Sequence, residues 1–284
     1  MSVFDKMRLI DCVDINFELD LNFGHLKNTD LSKVNLANVN LIGANLSFVN
    51  LTGTNLSGIN LYGANLTGAN LTGANLIGVN LSKANLTGAN FQNVNLKYAN
   101  LFDAILLEII LTDANLKGVN LVNANLTYAN LSRTDLSCSS LNNSKLSNVC
   151  FHQTNMTKVC LKNANLRSSN LTEAIITNAN LCGADLSHAI LTKANLSRSV
   201  LDNANLSGAN LRNAYLRNAS LINAILKGAN LSKANLIKAN FANADLEDAN
   251  LEEALLKGAN FLGSNLTRAN LTQTIDFNQS KSQF

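Results

Sequence analysis

Large apolar residues recur at every fifth position along almost the whole chain. From Leu21 to Leu271 the residue at this position is Leu with six exceptions, and no insertion shifts the phase. A fixed short period over such a length is typical of a repeat architecture rather than of an ordinary globular domain. The exceptions to Leu are also large and apolar: Phe91, Phe151, Met156, Ile176, Phe241 and Phe261.

The residues between the leucines follow the same five-residue pattern. Two positions before each Leu stands a small residue, mostly Ala, and one position before it most units have Asn. The two positions after it are rich in Ser, Thr, Gly, Lys and Asn, as in Thr67 and Gly68. A helix cannot use this pattern, because a step of five residues turns each Leu by about 140° from the previous one and no apolar face forms.

An extended chain accommodates the pattern. The Leu and the small residue two before it then point to one side, and the Asn between them points to the other. The other two residues of each unit are types that tolerate tight turns, so each unit is predicted to form one short side and one corner. Equal corners give a coil of polygonal cross-section with Leu inside and backbone hydrogen bonds between stacked coils. The period alone leaves the number of sides and the hand of the coil open.

The tandem units Ala64–Gly68 and Ala69–Gly73, which both read ANLTG, resemble the A(D/N)LXX motif of the pentapeptide repeat family. The resemblance covers residues 19 to about 273. It implies an all-β solenoid, a right-handed quadrilateral β-helix with four pentapeptides per coil. On that geometry the chain is a single elongated rod of about thirteen coils, roughly 60 Å long at ~4.8 Å per coil.

Both ends of the chain depart from the repeat. Ile10 and Ile15 are five residues apart, but Leu21 follows six residues later. Residues 1–18 are therefore predicted to form an irregular N-terminal cap, since open coil ends expose strand edges. Residues 19–273 form the predicted β-helix. Asp276 occupies the next Leu position, so residues 274–284 are predicted to be a C-terminal cap and a frayed tail.

Composition and charge exclude few partners. Apolar residues make up 46% of the chain, charged residues 14%, and the net charge of +3 gives no electrostatic requirement for nucleic acid. No apolar run suits a signal peptide or a membrane span, so we expect a cytoplasmic protein, with secretion by another route left open. The five cysteines lack paired spacing and are expected to be free thiols. They are Cys12, Cys138, Cys150, Cys160 and Cys182.

The sequence contains no convergent set of titratable groups of the kind that catalysis needs. The histidines His25, His152 and His188 lie far apart and on outward phases, and no His or Cys spacing suits a metal ion. The glycines stand singly at predicted corners. We therefore expect a protein that is not an enzyme and that uses no metal and no cofactor.

Two features of the outer surface emerge when the sequence is placed on coils of twenty residues. One side has seven cations beside its corner and Asp135 as its acid: Lys97, Lys117, Lys158, Arg198, Arg217, Lys238 and Lys257. The adjoining side has outward apolar residues that continue around one coil: Ile42, Tyr62, Phe102, Ile105, Leu107, Ile110 and Val122. Contiguous apolar surface rimmed by charge indicates a candidate partner surface. Ordinary surface apolar residues and a solvated charge stripe are the alternative.

A further pattern has a spacing of forty residues. Ile175, Tyr215 and Leu255 replace the usual Asn in three units. Duplication of a two-coil unit explains the spacing without any function. An outward apolar stripe used by a partner is the other interpretation.

These features favour a non-enzymatic scaffold or regulator that binds another protein along a flat outer side of the rod. The resemblance implies an alternative, because some members of the family resemble duplex DNA in shape and charge, bind type II topoisomerases such as gyrase, and confer quinolone resistance. That mechanism requires an acidic rod, and usually a dimer, whereas this chain is basic on balance. A third interpretation, a basic rod on nucleic acid or an anionic membrane, predicts weak and strongly salt-dependent binding. The oligomeric state stays open.

Overall fold

The computed structural model describes residues 24–32, 34–36 and 39–276, which form a four-sided parallel β-helix. Asn45 pairs with Asn65, and the same step of twenty residues continues along the rod to the pair of Leu255 and Ile275. No helix forms within the described residues, and strand structure there is reduced to single bridging residues, one in every five. The predicted right-handed quadrilateral β-helix is confirmed. The predicted N-terminal cap at residues 1–18, and residues 277–284 of the predicted C-terminal cap, lie outside the described residues.

We number the four faces in chain order. Face 1 contains Leu41, face 2 Leu46, face 3 Leu51 and face 4 Leu56, each with every twentieth residue that follows. Corner 1 consists of the two residues that follow each Leu position of face 1, and corners 2, 3 and 4 are defined in the same way for the other faces. A residue on any face therefore stacks on residues twenty before and twenty after it.

The interior is filled as the sequence predicts. The Leu positions and the small residues two before them are buried along the rod, and Leu61 and Ala64 are both 0% exposed. Phe241 and Phe261 occupy consecutive Leu positions of face 1, and their rings stack with centroids 5.0 Å apart. Each buried Leu contributes about 1.5–3 kcal/mol to stability before the loss of chain entropy is subtracted.

Backbone hydrogen bonds join each coil to its neighbours. Asn65 N–H donates to the carbonyl oxygen of Ala44 in the preceding coil at 2.9 Å, and Leu66 N–H donates to that of Asn85 in the next coil at 2.7 Å. Because every coil repeats these bonds, the register cannot slip without breaking the whole ladder. The ladder fixes which residues share a face and which stand above one another.

The corners are four-residue turns closed by a backbone hydrogen bond, as between Ala64 N–H and the Leu61 carbonyl oxygen at 3.0 Å. The third residue of each turn has positive φ, for example Gly63 at 64° and Lys83 at 59°. This region is strained for residues with a branched β-carbon. Among the described residues no Val, Ile or Thr occupies this third position.

Candidate functional site

The outward Asn before each Leu satisfies a backbone group at the corner that follows. Thr67 N–H donates to Asn65 Oδ1 at 3.1 Å, and Thr172 N–H donates to Asn170 Oδ1 at 3.0 Å. This is the N–H of each unit that the coil ladder and the turn leave free. An unpaired backbone donor lowers stability, so the fold itself accounts for Asn at this position.

Several outward positions have an exposed apolar side chain in place of this Asn. With Ile175 and Tyr215 at these positions, the N–H groups of Thr177 and Arg217 have no hydrogen-bond partner within the described residues. A protein hydrogen bond contributes about 0.5–1.5 kcal/mol net, so each exchange gives up stability while it exposes apolar surface. The exposed large apolar residues at Asn positions are Ile105, Ile110, Ile175, Ile190, Tyr215, Ile225 and Ile275.

The residues of the predicted partner surface lie on two corners and two faces of the rod. Ile42, Tyr62, Phe102 and Val122 lie on corner 1, Ile105 on face 2, Leu107 on corner 2 and Ile110 on face 3. The exposed members are Tyr62, Ile105 and Ile110, each about two-fifths exposed, and the rest are half-buried. Phe102 to Ile110 thus form a band around one coil, and the apolar corner column meets this band at Phe102.

The seven predicted cations all lie on corner 4, distributed from Lys97 to Lys257 along the rod. Arg198 N–H donates to the carbonyl oxygen of Arg217 at 2.9 Å, and Lys238 N–H donates to that of Lys257 at 2.9 Å. Cations in adjacent coils are therefore neighbours along corner 4. No Asp or Glu occupies corner 4 between Ser57 and Gly258.

Charges on the other corners are arranged differently. On corner 3 the Arg133 guanidinium hydrogen-bonds Asp113 at 2.7 Å and holds the pKa of that carboxyl below its ordinary value. On corner 2 hydrogen bonds from Lys227 and then Arg268 lower the pKa of Glu247. In the part of the chain that the structure describes, every ion pair lies on corner 2 or corner 3 and none on corner 4.

A shallow cavity of about 400 Å³ opens on corner 4 across three adjacent coils. Its lining residues include Thr177 and Arg217, whose N–H groups have no hydrogen-bond partner within the described residues. Sequence reasoning missed this cavity, although the cations and the two replaced asparagines were both visible in the sequence. The lining residues are Thr177, Asn178, Ser197, Arg198, Arg217 and Asn218.

Aromatic side chains at the third corner position lie over the next coil. The ring of Tyr98 covers Gly118, where an added Cβ would be 2.7 Å from Tyr98 Cδ1. Lys97 Nζ lies 4.9 Å from the centroid of the same ring, within the range of a cation–π contact. Tyr98 therefore packs along the rod, beside Lys97 on corner 4.

Other kinds of site have little support in the described residues. No group of three or more His, Cys, Asp or Glu side chains there is arranged to hold a metal ion. The four cysteines in this part of the chain, Cys138, Cys150, Cys160 and Cys182, are free thiols. None of the described segments forms a helix that could cross a membrane.

Comparison with known proteins gives a family match over most of the chain. The family model for pentapeptide repeats matches residues 20–58 and, in overlapping segments, residues 64–273. No curated protein matches.

Solved structures of pentapeptide repeat proteins are also similar to the chain. HetL, a protein involved in heterocyst differentiation regulation in the cyanobacterium Nostoc sp., is 30% identical over 94% of this chain and 98% of its own, with a TM-score of 0.24. Rfr23 from the cyanobacterium Cyanothece is 36% identical over 37% of this chain and 63% of its own, with a TM-score of 0.29. QnrB1, a plasmid-mediated fluoroquinolone resistance protein, is 21% identical over 75% of this chain and 89% of its own, with a TM-score of 0.34.

Proposed function

Because the chain belongs to the pentapeptide repeat family, we propose that it is a non-enzymatic scaffold or regulator that binds another protein on the outside of its β-helix. One observation carries the proposal. At several outward positions an exposed apolar residue stands where the fold is better served by Asn, as at Ile105 and Ile110. Exposed apolar surface that lowers the stability of the folded protein is typical of an interface.

The band from Phe102 to Ile110 is the proposed partner surface. Ile105 and Ile110 are on consecutive faces of one coil, and Leu107 lies on the corner between them. The N–H of Leu107 has lost its usual acceptor, so a partner can supply both apolar contact and a hydrogen-bond acceptor at this corner. Tyr62 and Val122 extend the same surface along corner 1.

Restoring Asn tests this surface without damage to the fold. The double variant Ile105→Asn/Ile110→Asn supplies the two missing acceptors, so we expect it to be at least as stable as the native chain. In its source cells the native chain should cross-link to a partner protein. We expect the variant not to cross-link to that protein. Ile225→Asn is the matched control, because residue 225 has the same outward position on face 2, six coils further along. Equal capture by all three proteins would exclude the band as the interface.

The alternative, a DNA-mimicking protein that binds gyrase, has less support from the surface. Such a protein needs a continuous acidic rod, whereas corner 4 has seven cations and no acid between Ser57 and Gly258. We therefore expect purified protein to leave gyrase supercoiling unchanged at micromolar concentration. Inhibition or protection of gyrase in that assay would favour the gyrase-binding alternative over the scaffold or regulator.

A further inference from the structure

We propose that the corner 4 cavity, lined by Thr177, Asn178, Ser197, Arg198, Arg217 and Asn218, binds a phosphate group. This site is separate from the proposed partner surface, since the Phe102 to Ile110 band lies on other faces, several coils away. If no small anion binds here, the proposed partner surface is not contradicted. If no partner binds the Phe102 to Ile110 band, the anion site is not contradicted.

The cavity is rich in donors and lacks acidic groups. Arg198 and Arg217 contribute two guanidinium groups, each of which can form two parallel hydrogen bonds with a phosphate. Ser197 contributes a hydroxyl with no side-chain partner in the described residues, and Asn178 and Asn218 contribute amide groups. Neither arginine forms an ion pair there, so an incoming anion does not have to displace a carboxylate.

Two backbone donors add to this set. In the coil between them, Ser197 N–H points outward to Asn195 Oδ1 at 3.1 Å. The equivalent N–H groups of Thr177 and Arg217 have the same place in their units but no acceptor in the described part of the chain, because Ile175 and Tyr215 replace the Asn. These two N–H groups are two coils apart, about 9.6 Å along the rod, so a single phosphate accepts from only one of them, beside the two arginines.

The neighbourhood of the cavity bears on the source of the phosphate. The cavity is shallow and open to the surface, so an organic group on a bound phosphate can reach the residues beside it. Ile175 and Tyr215, which are 45% and 50% exposed, stand on face 4 beside the corner and offer apolar contact. A phosphate monoester with an organic group and free inorganic phosphate share the chemistry that the cavity recognises.

Calorimetric titration of the full chain with inorganic phosphate and with phenyl phosphate tests the proposal. We expect saturable binding of one ligand per chain with a Kd below about 1 mM. Tighter binding of phenyl phosphate would identify an organic monoester as the source, and equal affinities would identify free phosphate. Absence of saturable binding for both ligands would overturn the proposal.

Two double variants separate the cavity from a diffuse positive field. Arg198→Gln/Arg217→Gln should weaken binding by about tenfold or more, since both ion-assisted contacts are lost. Arg167→Gln/Arg212→Gln removes the same charge from corners 2 and 3, and should change the affinity less than about twofold because exposed distant charges are screened. Equal weakening by the two pairs would indicate only a diffuse field and would overturn the proposal.

A third variant leaves the net charge unchanged. Ile175→Asn/Tyr215→Asn restores both acceptors and so occupies the free N–H groups of Thr177 and Arg217. We expect phosphate affinity to fall by about threefold to tenfold, while circular dichroism and thermal unfolding show an intact β-helix. Unchanged phosphate affinity in this variant would contradict the role of the backbone donors and overturn the proposed site.

Discussion

Arg198 and Arg217 are joined through their backbones, since Arg198 N–H donates to the carbonyl oxygen of Arg217 at 2.9 Å. The ladder thus holds two cations in adjacent coils, about 4.8 Å apart along the rod. On corner 3, Arg133 stands twenty residues after Asp113, in the adjacent coil, and this carboxylate neutralises the guanidinium. Corner 4 has no Asp or Glu between Ser57 and Gly258, so a bound anion would neutralise the charge of the two arginines.

Arg198→Glu is expected to raise the thermal unfolding midpoint at low ionic strength. The change replaces a repulsion by an attraction to Arg217, which at an exposed site amounts to about 0.2–1 kcal/mol. Salt at about 1 M should remove the gain, because the Debye length falls to ~3 Å. Midpoints measured at low and high salt check this. A gain that persists at high salt would indicate packing rather than charge.

Exchange of Asn and Ile in one column is expected to change stability in opposite directions. Asn170 accepts the N–H and hydroxyl of Thr172, whereas beside Ile190 in the next coil the N–H of Thr192 has no partner among the described residues. Asn170→Ile should lower the free energy of unfolding by about 1–3 kcal/mol, and Ile190→Asn should raise it by about 0.5–1.5 kcal/mol. Guanidinium unfolding of the two variants measures both. Shifts of the same sign would contradict the capping role of Asn.

Two glycines with the same φ of 69° separate backbone strain from contact with the next coil. A Cβ at Gly73 would meet nothing within 4 Å, whereas at Gly118 it would contact the ring of Tyr98. Gly73→Ala should destabilise by about 1–2 kcal/mol through strain alone. Gly118→Ala should add up to about 1 kcal/mol and move the ring of Tyr98 into solvent, which tyrosine fluorescence reports. Identical losses of stability in the two variants would show that the ring of Tyr98 does not pack on Gly118.

Acid is expected to weaken the C-terminal part of the rod through Glu247. Hydrogen bonds from Lys227 and Arg268 lower the pKa of Glu247 in the folded state. A carboxyl with a lowered folded pKa stabilises the protein above its unfolded pKa, near ~4.3, and the effect is lost as the pH falls through the lowered value. Unfolding midpoints between about pH 6 and 3 should therefore fall less steeply for Glu247→Gln than for the native chain. Parallel curves would assign the acid sensitivity to other carboxyls.

The five-residue period predicted the fold because it assigns each residue an inward, outward or corner position. Leu61 and Ala64 are buried and Gly63 has positive φ, as the period requires. The number of sides and the hand of the coil came from the family resemblance, since a period of five alone is compatible with other polygons. The resemblance of the ANLTG units to the family motif was therefore as necessary as the period.

The corner 4 cavity could not be predicted from composition or motif. It depends on residues twenty and forty positions apart, such as Thr177, Ser197 and Arg217, which meet only when the coil size is known. It also depends on the loss of a side-chain acceptor, and the role of Asn as that acceptor is visible only in the structure. The seven cations of corner 4 were predicted by position, but the free N–H groups among them were not.

The unbroken step of twenty residues makes the surface sensitive to a small genetic event that the core would tolerate. Insertion of one ANLTG unit after Gly183 would extend the β-helix by a quarter turn, and its leucines would remain buried. Thr177 would stay on corner 4, but Arg198 and Arg217 would rotate to corner 1, and the cavity would be divided between two edges of the rod. Gain or loss of a single pentapeptide can therefore rearrange which residues share a binding surface without any substitution and without loss of the fold.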